Sequence, residues 1–347
     1  MSNLRLKWHK LWHWEYWPLR AVYYPLFPVW LFFSVKARSF FFFNAANPSM
    51  KNGGMAMESK MDIYKIIPSQ HIPKTVFIPK GASLQEILGK KDEVCINFPF
   101  IVKPNIGMKS FGVAKIYNEE ALCQYLKRAS TDLLIQELIT YPNEVGVFYV
   151  RKPEQGKGSI TGIVSKEFLT VSGDGKSSVL QLIKKNPRSH LQLVVLKKRW
   201  GVALERVLAK DEKFVLVPYG SHTRGAKFVD RTGDCNARLV KTIDAICSQI
   251  PEFYYGRLDI LYHSFEELSQ GKNFKIIEVN GAGSEATHIY DPKHSLFFAW
   301  KEITRHWNLL CDISISNHKK GHPYLSFKDG RAMLKANDAL EAQLKLI

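Results

Sequence analysis

Apolar and polar positions along this chain follow two periods, and the changes between them mark its elements. Residues 98–116 form the clearest block. An apolar run, Phe98-Pro-Phe-Ile-Val, leads into a polar loop with two glycines and then into a second apolar run, which predicts a β-hairpin. Residues 118–128 have the spacing of an amphipathic helix with Asn118 as its N-cap. Apolar runs at 132–139, 145–151 and 159–169 predict strands. The turn-rich stretch 171–178 precedes a helix over 179–185. Further helices are predicted over 62–67, stopped before Pro68, and over 234–249, 292–307 and 326–346. Two short apolar strands, each with polar groups at its end, fall near 257–262 and 275–280. The pattern shows no internal repeat. Its mixture of strands and helices points to an α+β architecture.

The first 46 residues break from this pattern. Trp8, Trp12, Trp14, Tyr16 and Trp17 stand among Lys7, Lys10 and Arg20. An apolar run of fifteen residues from Ala21 to Val35 contains Pro25 and Pro28, and Phe40 to Phe43 follow. Spanning a bilayer takes about 20 helical residues, so this run does not predict a membrane-crossing helix. Trp and Tyr favour membrane–water interfaces because their rings are apolar with one polar handle. The segment therefore points first to an interfacial anchor, with Lys36 and Arg38 meeting headgroup phosphates. The competing expectation is that the aromatics pack on the folded core or on a partner.

Composition narrows the rest. With 46% apolar and 23% charged residues over 347 positions, the chain has ordinary globular composition and length for one to three compact units. Its five cysteines are scattered and its eleven histidines form no metal-binding motif, which predicts reduced core thiols and no zinc site. A net charge of +17 suits nucleic acid, an anionic membrane or a polyanionic substrate. The basic residues are spread along the chain without a nucleic-acid-binding module, so nucleic acid is the least favoured of the three.

Candidate chemistry lies in two places. Arg257 and Asp259 are two apart on one strand, as are Glu278 and Asn280 on another, so each pair shares a face. Three oxygen ligands beside a guanidinium suit Mg²⁺ on a polyphosphate. Earlier in the chain, Ile-Val-Lys103-Pro104 leads into the loop 107–112, where glycine lets N–H groups approach phosphate and lysine supplies charge. Each motif alone is also compatible with an ordinary strand end or hairpin tip.

Together, in this order and separation, these motifs resemble the ATP-grasp superfamily, in its D-alanine–D-alanine ligase-like branch. The resemblance runs over about residues 58–310. It implies two α+β lobes with nucleotide between them. Lys60, Lys103 and Lys227 would be phosphate-binding lysines, with Lys109 in the loop that closes over the triphosphate. Gln136, Glu137, Leu138 and Ile139 would form the hinge that reads adenine, and Glu144 would take the ribose hydroxyls. Arg257 would bind phosphate; Asp259, Glu278 and Asn280 would bind Mg²⁺. Gly281 and Gly283 would belong to an oxyanion-stabilising turn, with Glu285 and His288 beside the second-substrate pocket.

The implied organisation is an aromatic N-terminal segment (1–47), a short region carrying the first lysine (48–97), a catalytic core (98–310) and a helical tail (311–347). The implied activity is an ATP- and Mg²⁺-dependent ligase that joins a carboxylate to an amine. Alternatives are a kinase acting on a hydroxyl or lipid headgroup, and a non-catalytic membrane-associated nucleotide-binding protein. The implied location is cytoplasmic, peripheral on the inner face of the membrane if the aromatic segment meets lipid. Only about sixty residues precede Lys60 where the family usually carries a full α/β domain, and Met108 and Lys109 replace small residues usual in its loop.

Overall fold

Several helices begin where the sequence offers a capping side chain, in a computed structural model that describes residues 3–346. Asn118 accepts the Ala121 N–H at 2.9 Å and Asn236 that of Leu239 at 2.9 Å, starting helices Glu119–Leu126 and Ala237–Cys247. Ser59 caps Lys60–Ile66 in the same way.

Strands β1 (Thr75–Ile78), β2 (Phe100–Pro104), β3 (Ala114–Ile116) and β4 (Leu133–Glu137) form an antiparallel sheet in the order β1-β4-β2-β3. Phe100, Val102, Leu133 and Ile135 point to one face, where Ile87, Leu122 and Tyr125 from two helices cover them. The alternate residues, Lys103 and Gln136 among them, are thereby set on the opposite face.

After Leu138 and Ile139 the chain enters the second lobe with β5 (Asn143–Val150) and β6 (Ser159–Glu167). Strands β7 (Leu169–Ser172) and β8 (Lys213–Val217) pair separately, and helices Val179–Lys185 and Leu193–Trp200 pack on them as a small subunit with its own core. Strands β9 (Lys227–Asp230), β10 (Tyr255–Tyr262) and β11 (Phe274–Asn280) complete a five-stranded antiparallel sheet, β11-β10-β5-β6-β9. One of its faces is covered by Leu239, Ile243 and Ile246 of helix Ala237–Cys247. The opposite face is covered only at one end.

That cover is the aromatic segment together with helix Leu296–Lys319. Phe33, Phe41, Phe42 and Phe43 are buried in one cluster with Phe148, Tyr255, Ile303 and Leu310. Trp30 lies edge-on to Trp307 at 5.1 Å, and the buried Asn317 donates to the Ala45 carbonyl at 2.8 Å. Much of the segment thus packs on the core, while Leu4, Trp8, Trp12, Phe32 and Val35 stay exposed. No described helix is long and apolar enough to cross a membrane.

The expected α+β architecture of two lobes is present, with differences of detail. Helix Leu296–Lys319 continues well past residue 307 because its inner face keeps meeting aromatic side chains from the N-terminal segment, and it passes through position 310 without a break. Strands β1, β7, β8 and β9 lie outside the runs read as strands; each is short, and its pairing partner is distant in sequence. Strand β1 also ties the region before residue 98 into the first sheet.

Candidate active site

The two sheets face each other across a cleft of about 1600 Å³. Antiparallel pairing sets Arg257 opposite Asn280 and Asp259 opposite Glu278, so two pairs apart in sequence become one patch on the cleft floor. Gly146 of β5 makes room for them: a Cβ there would lie 3.2 Å from Asp259 Oδ1 and 2.9 Å from Val164 Cγ1. Arg257 donates to Asp259 through Nε at 2.9 Å and Nη2 at 3.1 Å, and through Nη1 to the Glu285 carbonyl at 3.2 Å.

The first lobe delivers its lysines to the same floor. Lys60 Nζ lies 2.9 Å from Glu278 and 3.1 Å from the Gly107 carbonyl. Lys103 Nζ donates to Tyr64 at 2.7 Å and to Gln136 at 2.8 Å. The Tyr64 hydroxyl in turn donates to the Ile277 carbonyl. Glu137, Leu138 and Ile139 line the wall where the lobes join.

The electrostatics are those of a poised anion site. Burial pushes the Lys103 ammonium down to about 7; Lys60 adds repulsion and Glu278 works against both. Burial alone would raise Asp259, but Arg257 and Lys166 outweigh it and hold the carboxyl at about 2. Glu278 is lowered in the same way, with Lys60 opposing its burial. Lys60, Lys103, Lys166 and Arg257 thus face the carboxylates Glu144, Asp259 and Glu278, with Glu58 and Glu285 on the same cleft.

Four assignments change. Lys227 is turned out of the cleft, half exposed and 3.4 Å from Glu167, because β9 alternates and it is Phe228 that faces inward. Lys166 of the neighbouring strand stands on the floor instead, 2.8 Å from Glu144 and 3.0 Å from Asp259. Its signal in the sequence was a lysine inside an apolar strand. Glu144 is not a free carboxylate for a ribose: one oxygen takes Lys166 and the other the Gly220 N–H at 3.0 Å. Gly283 directs its N–H to the Gly54 carbonyl at 2.9 Å, so that group is not an oxyanion donor, and Gly281 packs against Gly53 and Gly54. Lys109 lines the cleft, but its ammonium pairs with Glu341 of helix Phe327–Leu344 at 2.9 Å.

Mg²⁺ fits the residues present. Asp259, Glu278 and Asn280 offer hard oxygen donors on one face of paired strands. Among the described residues no three His, Cys, Asp or Glu side chains converge, so such an ion would complete its shell with ligand oxygens. The buried Asn280 Nδ2 has no partner within the described residues.

The chain thus brings Lys60 and Lys103 from one lobe to meet Lys166, Arg257 and the acids of the other, with residues 137–139 where the lobes join. Neither a protein-family model nor a curated protein matches it. Among solved structures it is similar to D-alanine–D-alanine ligase from Bacillus anthracis, at 13% identity over 79% of this chain and 72% of that one, with a TM-score of 0.43. It is similar to the VanG D-Ala:D-Ser ligase from Enterococcus faecalis at 15% identity, over 78% and 64%, with a TM-score of 0.42. It is similar to a bifunctional glutathione synthetase from Pasteurella multocida at 17% identity and a TM-score of 0.36, covering 69% of this chain and only 36% of that one.

Proposed function

We propose that this chain is an ATP- and Mg²⁺-dependent ligase that activates a carboxylate as an acyl phosphate and joins it to an amine. The observation that carries the reading is the convergence of Lys60, Lys103 and Arg257 from two lobes onto Asp259, Glu278 and Asn280. Phosphoryl transfer needs alignment and neutralised charge more than a protein nucleophile, and this set supplies both. Lys60, Lys103 and Lys166 would hold the β- and γ-phosphates, with adenine against the wall at 137–139. Bound at Asp259, Glu278 and Asn280, Mg²⁺ would offset charge on the transferring phosphoryl group. The substrate carboxylate attacks the γ-phosphorus, releasing ADP. An amine, having lost its ammonium proton, then displaces phosphate from the acyl carbon; the N–H proton released as the amide forms leaves with the phosphate, and Arg257 would stabilise the oxyanion.

The test is calorimetric titration of ATP with and without Mg²⁺, on the native chain and on Glu278→Gln. Binding should require Mg²⁺ and weaken by about tenfold or more in the variant, the worth of one charge-assisted contact. A folded native chain that ignores MgATP would overturn the reading.

A contact with an anionic membrane surface belongs to the same proposal. On helix Asn3–Trp12, Leu4, Trp8, Leu11 and Trp12 share one exposed face beside Lys7 and Lys10. Cosedimentation with vesicles of anionic and of neutral lipid checks it, and equal or absent binding to both would count against it.

A further inference from the structure

The carboxylate of Glu285 is set differently from those around it. Glu278, Asp259, Glu144 and Glu15 each have a cationic side chain within ion-pair distance, whereas Glu285, like Glu58 on the same cleft, has none among the described residues. Two tyrosine hydroxyls hold it instead. Tyr23 donates to Oε1 at 2.6 Å and Tyr290 to the same oxygen at 3.0 Å. Oε2 takes no hydrogen bond within the described residues, and Glu285 lines the cleft next to Ser284.

Two donors on one oxygen fix the side chain and leave the other oxygen for a ligand. The surroundings say which kind. Arg257 reaches the Glu285 carbonyl with Nη1 but commits the rest of its guanidinium to Asp259, so it does not neutralise this carboxylate at contact distance. Tyr290, which holds Glu285, is joined by Tyr16 and Met55 in giving the cleft apolar and aromatic surface. A carboxylate against such a surface, on the residue whose own backbone carbonyl Arg257 holds, matches a primary ammonium on an apolar or aromatic stem.

We propose that Glu285 is the recognition site for the ammonium group of the amine substrate, and that Tyr23 is its positioning residue. The inference rests on the ligase reading, because only an amine-joining reaction calls for an ammonium beside Arg257. It also gives the N-terminal segment a place in the site. Trp14 packs 5.5 Å from Tyr290 and donates through Nε1 to the His294 carbonyl at 2.8 Å, while Glu15 pairs with Arg188 at 2.7 Å. Through these contacts residues 15–19 are held as part of the cleft lining.

The experiment observes the fluorine resonance of para-trifluoromethylbenzylamine, an ammonium at neutral pH, with the full chain and saturating MgADP. The isosteric para-trifluoromethylbenzyl alcohol is the neutral control. The amine should broaden and the alcohol should not. In Glu285→Gln the amine's affinity should fall by about tenfold or more, and in Tyr23→Phe by about threefold, since a charged contact is lost in the first and only its support in the second. MgADP affinity, titrated on the same samples, should be unchanged in both. If MgADP binds the native chain but the amine does not broaden, or broadens equally in Glu285→Gln, the inference is wrong while the nucleotide site stands. Failure of MgADP to bind a folded native chain would overturn the ligase reading itself.

Discussion

Lys103 is enclosed by Tyr64, Gln136 and the Ile277 carbonyl, with Lys60 and Glu278 as its charged neighbours. Its ammonium, brought down to about 7 by burial, is half deprotonated near neutrality, and a phosphate beside it would raise it again. The sign follows. Below pH 7 the free lysine is already protonated and nucleotide affinity is flat. Above it, binding must take up a proton, so affinity falls as pH rises, by up to about tenfold per unit. Calorimetry at pH 8 in two buffers of different ionisation enthalpy should therefore report net proton uptake, and Lys103→Met should abolish it. Which residues could be read from sequence follows the same local logic. Arg257, Asp259, Glu278 and Asn280 were legible because strand alternation puts residues two apart on one face. Lys166 was not, because choosing it over Lys227 requires knowing that β9 pairs with β6 and shows Phe228 to the cleft.

Residues 47–54, which belong to no strand or long helix, fix the site in place. Asn47, fully buried, donates to the Gly53 and Tyr255 carbonyls and accepts from the Tyr254 and Tyr255 N–H groups, pinning residues 47–54 to the start of β10. Beyond it, Gly53 and Gly54 accept from Ala282 and Gly283 and so hold the end of β11 that carries Asn280. Composition rich in Asn and Gly marks a turn correctly but says nothing of what the turn docks against. At Gly54 the backbone has φ +73°, and a Cβ would lie 2.7 Å from Gly281 Cα. Gly54→Ala should cost about 2–4 kcal/mol of stability, from left-handed strain and overpacking, and should weaken MgATP binding without touching nucleotide. Gly89→Ala, in the exposed part of helix Leu84–Glu93 with nothing within 4 Å, is the control and should stabilise by up to about 1 kcal/mol. Denaturation midpoints with parallel ATP titrations check both. A Gly54 variant of native stability and affinity would show that the contact positions nothing.

Over the whole molecule, the aromatic segment divides into a buried and an exposed set. Its inner residues, Phe33 and Phe41 to Phe43, share a core with helix Leu296–Lys319, while its outer residues include Trp12 at 78% and Phe32 at 65% exposure. Sequence could not divide the two sets, since both are large and apolar and the division depends on which face meets that helix. Burying one such side chain is worth about 2–3 kcal/mol, so removing four costs about 8–12 kcal/mol, comparable to the whole net stability of a domain. Deleting residues 1–46 should consequently give an aggregating chain without a cooperative melt, rather than a soluble core freed of an anchor. Trp12→Glu and Phe32→Glu alter only the exposed face. They should leave the melting temperature within a degree or two of native, because exposed substitutions move stability by about 0.5 kcal/mol or less. If that face meets lipid, the same pair should release the chain from anionic vesicles, each lost aromatic and each added negative charge weakening attachment. Retained vesicle binding in the doubly substituted protein would leave the segment a purely internal role, as a wall of the cleft and a cover for the second sheet.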